Sequence, residues 1–148
     1  MTRRTVASQD GIELAVESIG AGPAIVFAHG LTGTRRGTLA QLAPLADRYR
    51  IVAYDQRGHN ESTPVTDPAL FDPQRMAEDL TAVLDALGLE RAIVGGESMG
   101  ATTALRFAVA HPDRVEALLI TAPSFGAASS AERTRLREMG EAIMTLGM

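Results

Sequence analysis

The stretch VGGESMG, residues 94–100, places Ser98 between two glycines, Gly96 and Gly100. A short apolar run precedes this stretch, and residues 99–111, which follow Ser98, have the composition of a helix. Because glycine has no Cβ, the two glycines allow a strand and a helix to cross closely. The spacing G-x-S-x-G therefore predicts a sharp strand-to-helix turn that presents the serine hydroxyl. The alternative is a serine that only caps the helix.

Four apolar runs with the length of buried strands alternate with helical segments around this turn. The runs are AIVFA at 24–28, RIVAYD at 50–55, AIVGG at 92–96 and VEALLIT at 115–121. Strands that alternate with helices form a parallel sheet with right-handed crossovers. Two further alternating strands flank Asp10 and Gly11, a pair typical of a hairpin turn. The predicted fold class is α/β, with a mostly parallel sheet, flanking helices and an N-terminal hairpin.

The clearest helix signals lie in residues 71–90, between the second and third runs. Asp72 can cap this helix, Pro73 suits its first position, and Gly88 suits the position just past its end. The segment 38–49 is also predicted to be helical, because its leucines recur at helical spacing. A proline inside that segment predicts a kink or a late helix start.

Composition limits the classes of function that the chain can have. Its 148 residues fit one domain that can bury a hydrophobic core. Its net charge of −4 counts against the basic surface that nucleic-acid binding requires. It has no cysteine, which excludes disulfides, a thiol nucleophile and thiolate metal sites. The N-terminal residues lack the apolar run of a secretory signal, and no apolar stretch approaches the roughly 18 residues of a membrane span. We therefore expect a cytoplasmic protein that binds neither nucleic acid nor membrane.

A second glycine-containing loop, AHGLTG at 28–33, directly follows the first apolar run. Loops at the carboxyl ends of parallel strands gather at one edge of the sheet. The N–H of Met99 would lie at the start of the helix behind Ser98, and the N–H of Leu31 is the expected second donor. Two such donors would form an oxyanion hole. The alternative is an ordinary strand-to-helix turn with the same glycines.

A third loop, YDQRGHNES at 54–62, follows the second apolar run. Asp55, Arg57 and Gly58 are predicted to fix a turn through side-chain hydrogen bonds to the backbone. Spacing alone leaves a catalytic role for Asp55 or His59 open. The structural turn is the favoured interpretation.

In this order, the motifs VFAHGLTG, YDQRGHNES, GGESMG and HPDRVEALLITAP resemble the landmarks of the α/β-hydrolase fold family over roughly residues 10–125. The resemblance implies that Ser98 is the nucleophile and that Leu31 and Met99 supply the N–H groups of the oxyanion hole. It implies no metal and no cofactor. A serine at this position also speaks against relatives such as epoxide hydrolases and haloalkane dehalogenases, which use aspartate. Asn60 stands where relatives often have glycine, and asparagine tolerates left-handed backbone.

The resemblance implies a serine hydrolase of carboxylesterase or lactonase type, which attacks an ester or similar acyl bond of a small molecule through a Ser98 acyl-enzyme. Family members also need an acid and a histidine base. Each of the three histidines has another explanation: His29 in the oxyanion loop, His59 in the following turn and His111 at a helix end. No carboxylate follows the fourth strand before Glu132. The chain is therefore expected to be an N-terminal half of the fold, inactive alone.

On this interpretation, residues 1–126 form the N-terminal part of the hydrolase core and 127–148 begin a helical lid or cap. Phe125 and Met139 are candidates to face either the site or the core. The strand at 115–121 would be an unprotected apolar edge, which predicts self-association through it.

The main alternative is a non-catalytic protein that keeps the fold to bind a small apolar ligand or a partner. The absence of a base and an acid supports it, whereas the serine turn and the glycine-rich loop count against it. Two copies that complete one another are a third option, in which only His29 or His59 could act as the base.

Overall fold

The computed structural model describes residues 1–123 and 134 as a mixed sheet with helices on both faces. Six strands pair in the order β1-β2-β4-β3-β5-β6 in this part of the chain. The strands are β1 (Thr2–Ala7), β2 (Glu13–Ile19), β3 (Ala24–Ala28), β4 (Arg50–Tyr54), β5 (Ala92–Glu97) and β6 (Val115–Thr121). The helices are α1 (Arg35–Leu42), α2 (Pro73–Ala86) and α3 (Met99–Ala110), with single 3₁₀ turns at Ala43–Leu45, Pro68–Phe71 and Pro112–Arg114. None of the helices in the described part is long and apolar enough to cross a membrane.

The predicted N-terminal hairpin is confirmed. β1 and β2 pair antiparallel, with Thr2 opposite Ser18 and Ala7 opposite Glu13. Gly11 has φ +82° at the turn, a backbone conformation that glycine adopts without steric cost. β2 then pairs antiparallel with β4, which joins the hairpin to the parallel part of the sheet.

The predicted parallel sheet is confirmed, with β3 at its centre. β3 pairs parallel with β4 on one side and with β5 on the other, and β5 pairs parallel with β6. All five residues of β3 are buried, because helices cover both faces of the sheet at this strand.

Alternate residues of β3, β4 and β5 enter two separate apolar clusters. Val26 of β3 packs in the cluster that contains Leu80 of α2 and Phe107 of α3. Its neighbour Ile25 packs in the cluster on the opposite face, with Leu39 of α1. Side chains of a strand point alternately to its two faces, so one short apolar run supplies both cores.

The predicted helix over 38–49 is wrong at both ends. α1 begins at Arg35, where the Thr34 hydroxyl accepts a hydrogen bond from the N–H of Gly37 at 2.9 Å. The helix ends before Pro44, whose ring fixes φ and whose nitrogen has no hydrogen to donate, and a 3₁₀ turn continues the chain.

The helix signals around α2 are confirmed. Its cap, Asp72, accepts from the N–H of Gln74 at 2.7 Å, and Pro73 occupies the first position. Gly88 follows the helix end with φ +65°, the left-handed conformation expected just past a C-terminus. The helix predicted after Ser98 is also confirmed, as α3.

β6 is the outermost strand on its side of the sheet in the part of the chain that the structure describes. Four of its seven residues are exposed, among them Leu118 at 44%. Self-association through this edge stays a prediction, which sedimentation velocity of wild type and Leu118→Lys would test. Apart from Thr134, the predicted lid segment 127–148 lies outside the described residues, as do Phe125 and Met139.

Candidate active site

Ser98 forms the junction between β5 and α3 with a backbone conformation that is unusual for a serine. Its φ is +50° and its ψ is −109°, and its side chain makes no capping hydrogen bond to the helix. Its N–H donates to the carbonyl of Thr121 in β6 at 3.1 Å, and its carbonyl accepts from the N–H of Thr102 at 3.2 Å. A non-glycine residue at positive φ costs of order 1–3 kcal/mol and persists only where the surroundings enforce it. The serine turn is therefore held under strain.

The two flanking glycines are required by close backbone contacts. A Cβ on Gly96 would overlap the carbonyl of Gly100 and lie 2.7 Å from the nitrogen of Ala101. A Cβ on Gly100 would overlap the carbonyl of Ala28 and lie 2.7 Å from the carbonyl oxygen of His29. The first turn of α3 thus lies directly on the backbone at the end of β3.

The loop after β3 lies beside Ser98. A Cβ built on Gly30 would lie 3.7 Å from Cβ of Ser98, which is ordinary van der Waals contact. Leu31 follows, with 39% of its surface exposed. The N–H of Met99 belongs to the first turn of α3, where helix N–H groups have no partner within the helix. The fold thus brings the segments of Leu31 and Met99 to Ser98, and their roles as oxyanion donors stay predictions.

His29 is buried and both of its ring nitrogens are engaged. Nε2 accepts a hydrogen bond from the backbone N–H of Gln56 at 3.0 Å, so the ring proton must be on Nδ1. Nδ1 then donates to the carbonyl of Gly30 at 2.7 Å. Burial lowers the pKa of His29 below its ordinary value of 6.5, which keeps the ring neutral. His29 is a fixed part of the loop and has no free nitrogen to accept the Ser98 proton.

Neither of the other two histidines hydrogen-bonds to Ser98 within the described residues. Nδ1 of His59 lies 2.9 Å from the carbonyl oxygen of Arg57, and its Nε2 lies 2.9 Å from that of Leu31. His111 follows the last residue of α3, whereas Ser98 precedes the first, so about 20 Å separates them at the rise of an α-helix. Within residues 1–123 no side chain hydrogen-bonds to the Ser98 hydroxyl.

Asp55 organises the loop after β4 as a structural residue. Its buried carboxylate accepts from the backbone N–H of Arg35 at 2.8 Å and pairs with the guanidinium of the same residue. The same guanidinium also pairs with Glu17 at 3.2 Å and with Glu61 at 3.0 Å. Burial disfavours the charged guanidinium, but the hydrogen bonds and charges of Asp55 and Glu61 outweigh this and raise the pKa of Arg35. The favoured interpretation of Asp55, a residue that fixes a turn, agrees with these contacts.

Arg57 joins the same loop to the hairpin and to α2. Its guanidinium makes two hydrogen bonds of 2.7 Å to the buried carboxylate of Asp79, and a third of 2.9 Å to Asp10. It also donates to the carbonyl of Leu70 at 3.0 Å. Burial disfavours its charge, but Asp79 and Asp10 together raise the pKa of Arg57. The loop that carries His59 is therefore rigidly attached to three other segments.

Two site-forming residues, Gln56 and Thr103, have no recognisable signal in the sequence. Gln56 is buried and donates through its side-chain amide to the carbonyl of His29 at 2.6 Å. Its amide oxygen accepts from the hydroxyl of Thr103 in α3 at 2.9 Å. The chain of contacts from α3 through Gln56 to His29 fixes the loop after β3 relative to the helix that follows Ser98. In the described residues no three His, Cys, Asp or Glu side chains cluster as metal ligands do.

A serine at positive φ in a strand-to-helix turn, beside the loop that contains Gly30, is typical of one class of enzyme fold. The sequence model of the alpha/beta hydrolase fold matches residues 23–141, and the chain belongs to that family.

The proteins that this chain resembles include an epoxide hydrolase, an esterase and a protein named only as a hydrolase. The chain is 36% identical over 133 residues to an epoxide hydrolase from Caballeronia sordidicola, covering 88% of this chain and 40% of that protein. It resembles the structure of a thermophilic esterase from Thermogutta terrifontis, with a TM-score of 0.82 and 30% identity over 97% of this chain and 53% of that one. A hydrolase structure from Pseudomonas aeruginosa PA01 gives a TM-score of 0.83 at 29% identity, with the same coverage. The chain thus spans about half the length of these relatives, or less.

Proposed function

We propose that Ser98 is the nucleophile of a hydrolase that cleaves an ester or a similar acyl bond in a small molecule. The observation that carries this proposal is the strained backbone of Ser98, at φ +50°, beside the Gly30–Leu31 loop. Strain of this kind persists where the fold over-determines it, and it is common at active sites. A carboxylesterase or lactonase type of reaction fits such a site.

The proposed reaction proceeds in two acyl transfers. Ser98 Oγ attacks the substrate carbonyl carbon while a base takes the hydroxyl proton, and the tetrahedral oxyanion accepts hydrogen bonds from the N–H groups of Leu31 and Met99. The base returns the proton to the leaving oxygen as the ester bond breaks, which leaves Ser98 acylated. Water then gives a proton to the base and its hydroxide to the acyl carbon, and the base passes that proton to Oγ as the acid product leaves.

The base for this reaction is proposed to come from additional polypeptide. All three histidines of the sequence lie in residues 1–123, and none of them hydrogen-bonds to the Ser98 hydroxyl. Both nitrogens of His29 are hydrogen-bonded, and both nitrogens of His59 face carbonyl oxygens. The relatives are about twice as long as this chain, which leaves room in them for further catalytic groups. On this proposal the 148-residue chain alone retains only weak oxyanion-hole catalysis.

Serine at position 98 favours acyl transfer over epoxide opening. The family resemblance implies an aspartate nucleophile at this position in epoxide hydrolases, whereas this chain has a serine. The similarity to the Thermogutta terrifontis esterase supports the same interpretation. The name of the Caballeronia sordidicola relative therefore does not transfer to this chain by similarity alone.

A fluorophosphonate probe tests the proposal, because it phosphonylates only an activated serine. Intact-mass spectrometry follows the labelling reaction over time. We expect a single adduct to form slowly on the folded chain, and to form faster when free imidazole supplies the missing base. The adduct should disappear in Ser98→Ala, and the urea-unfolded chain is the control for non-specific labelling. An adduct that persists in Ser98→Ala, or no adduct even with imidazole, would refute the proposal and favour a non-catalytic binding protein.

A further inference from the structure

The peptide groups on either side of Leu31 are each held by a histidine. The carbonyl of Gly30 accepts from Nδ1 of His29 at 2.7 Å, and the carbonyl of Leu31 lies 2.9 Å from Nε2 of His59. A trans peptide is planar, so its N–H points opposite to its C=O. Fixing these two carbonyls therefore fixes the directions of the N–H groups of Leu31 and Thr32.

We infer that His59 is a positioning residue for the oxyanion hole. Its Nε2–H donates to the Leu31 carbonyl and holds the Leu31–Thr32 peptide, which directly follows the peptide that carries the Leu31 N–H. The inference rests on the proposed role of the Leu31 N–H as an oxyanion donor. It assigns His59 no contact with the substrate and no proton transfer. An oxyanion donor is effective only when its direction is fixed before charge develops. His29 holds the peptide that carries the Leu31 N–H and His59 holds the next peptide, so His59 acts on the donor by fixing Leu31 from its other side.

His59 can hold the loop because its own ring is anchored. Nδ1 lies 2.9 Å from the carbonyl oxygen of Arg57, and the ring packs edge-on against His29 with the ring centroids 5.1 Å apart. Arg57 is in turn immobilised by the buried Asp79 and by Asp10. The Leu31 carbonyl is exposed on the surface side of the loop, and His59 connects it to this rigid turn.

The two ring nitrogens of His59 make different contacts, so variants that keep one contact at a time can distinguish the positioning of Leu31 from a general structural role of the residue. Both face carbonyl oxygens, so the imidazolium donates to both, whereas the neutral ring donates to only one. An asparagine amide reaches roughly as far as Nδ1, and a glutamine amide roughly as far as Nε2. His59→Gln therefore retains the donor to Leu31, and His59→Asn retains only the donor to Arg57.

The first measurement uses nuclear magnetic resonance on the folded 148-residue chain and needs no catalysis. Long-range proton–nitrogen spectra should show a proton on Nε2 of His59 at pH 7. His59→Asn should shift the amide signals of Leu31 and Thr32 and lower their heteronuclear Overhauser effects, whereas His59→Gln should restore wild-type values. An unprotonated Nε2, or two variants with the same loop signals, would overturn the inference.

A second measurement connects the loop to reactivity. With imidazole present, His59→Asn should lower the rate constant of fluorophosphonate labelling about tenfold, the equivalent of one hydrogen bond, without changing the concentration of probe at half saturation. His59→Gln should recover most of the rate. The amide signals of Leu31 and Thr32 could respond to the two variants as expected while the chain never reacts with the fluorophosphonate probe. That result would support the role of His59 in holding the loop but would refute the proposed function. Equal labelling rates in the two variants would refute the positioning role.

Discussion

Two turns at the same edge of the sheet differ in whether their polar side chains have partners. The turn after β4, residues 55–62, and the turn after β5, residues 96–100, follow strands that both pair parallel with β3. In the first turn, the carboxylate of Asp55 and the guanidinium of Arg57 are buried and fully occupied by ion pairs. In the second, the Ser98 hydroxyl has no hydrogen-bond partner within residues 1–123.

The contrast separates a turn that acts as a scaffold from the turn that carries the proposed nucleophile. A charged side chain in a buried ion pair holds segments together and is costly to break, so it is unavailable for chemistry. The Ser98 hydroxyl has no such partner within residues 1–123, as the proposed nucleophile requires. The first turn also holds the loop after β3, which lies beside Ser98: its Gln56 N–H donates to His29, and its His59 contacts the Leu31 carbonyl.

Gly100→Ala is expected to have the largest effect on stability. The new Cβ would overlap the Ala28 carbonyl, and because that neighbour is backbone of the central strand it cannot move aside. We expect a loss of about 3 kcal/mol or more in the free energy of unfolding, enough to abolish cooperative folding of a marginal domain. Urea denaturation followed by circular dichroism measures this. Gly37→Ala in α1, where the nearest atom is the Thr34 hydroxyl at 3.3 Å, is the matched control and should stay within about 1 kcal/mol.

Asp79→Asn tests the scaffold turn. It leaves the buried guanidinium of Arg57 without its main partner, and breaking a buried pair typically costs about 3–5 kcal/mol. Asp10→Asn removes the other partner of the same guanidinium, but Asp10 is partly exposed and should cost about 1 kcal/mol or less. Equal losses in the two variants, measured by urea denaturation, would contradict the assignment of Asp79 as the main anchor.

Ser98→Gly tests the strain in the reactive turn. Glycine adopts positive φ readily, so the substitution should raise the free energy of unfolding by about 1 kcal/mol relative to Ser98→Ala, which keeps the strain. Neither variant should label with the fluorophosphonate probe. A Ser98→Gly chain that is less stable than Ser98→Ala would show that the turn is not strained.

The smallest effect is expected from pH. The pKa of His29 in the folded chain lies below the ordinary value of 6.5. As pH falls below 6.5, the unfolded chain therefore binds a proton that the folded chain does not, and stability decreases until the pH reaches the folded pKa. A titration of the His29 ring by nuclear magnetic resonance, with the urea-unfolded chain as reference, should give the lower midpoint in the folded chain. A midpoint at or above the reference would count against a neutral, buried His29.

Local signals predicted the strands, the cap of α2 and the serine turn, because each depends on a few neighbouring residues. Asp72, Pro73 and Gly88 fix the ends of α2 through their own backbone preferences. The start of α1 was missed because Thr34 caps it without an apolar pattern behind it. Asn60, at φ +44°, confirmed the expectation that asparagine tolerates left-handed backbone there.

What the sequence determined by itself was the order of the elements and the identity of the strained serine, since apolar periodicity and two glycines act over short distances. Only the tertiary structure decided which groups the histidine nitrogens contact. His29 meets Gln56 across 27 residues, and His59 meets Leu31 across 28, contacts that exist because parallel strands bring distant loops to one edge. No local pattern encodes a hydrogen bond between loops so far apart in the chain, so the sequence could name the candidates but not their partners.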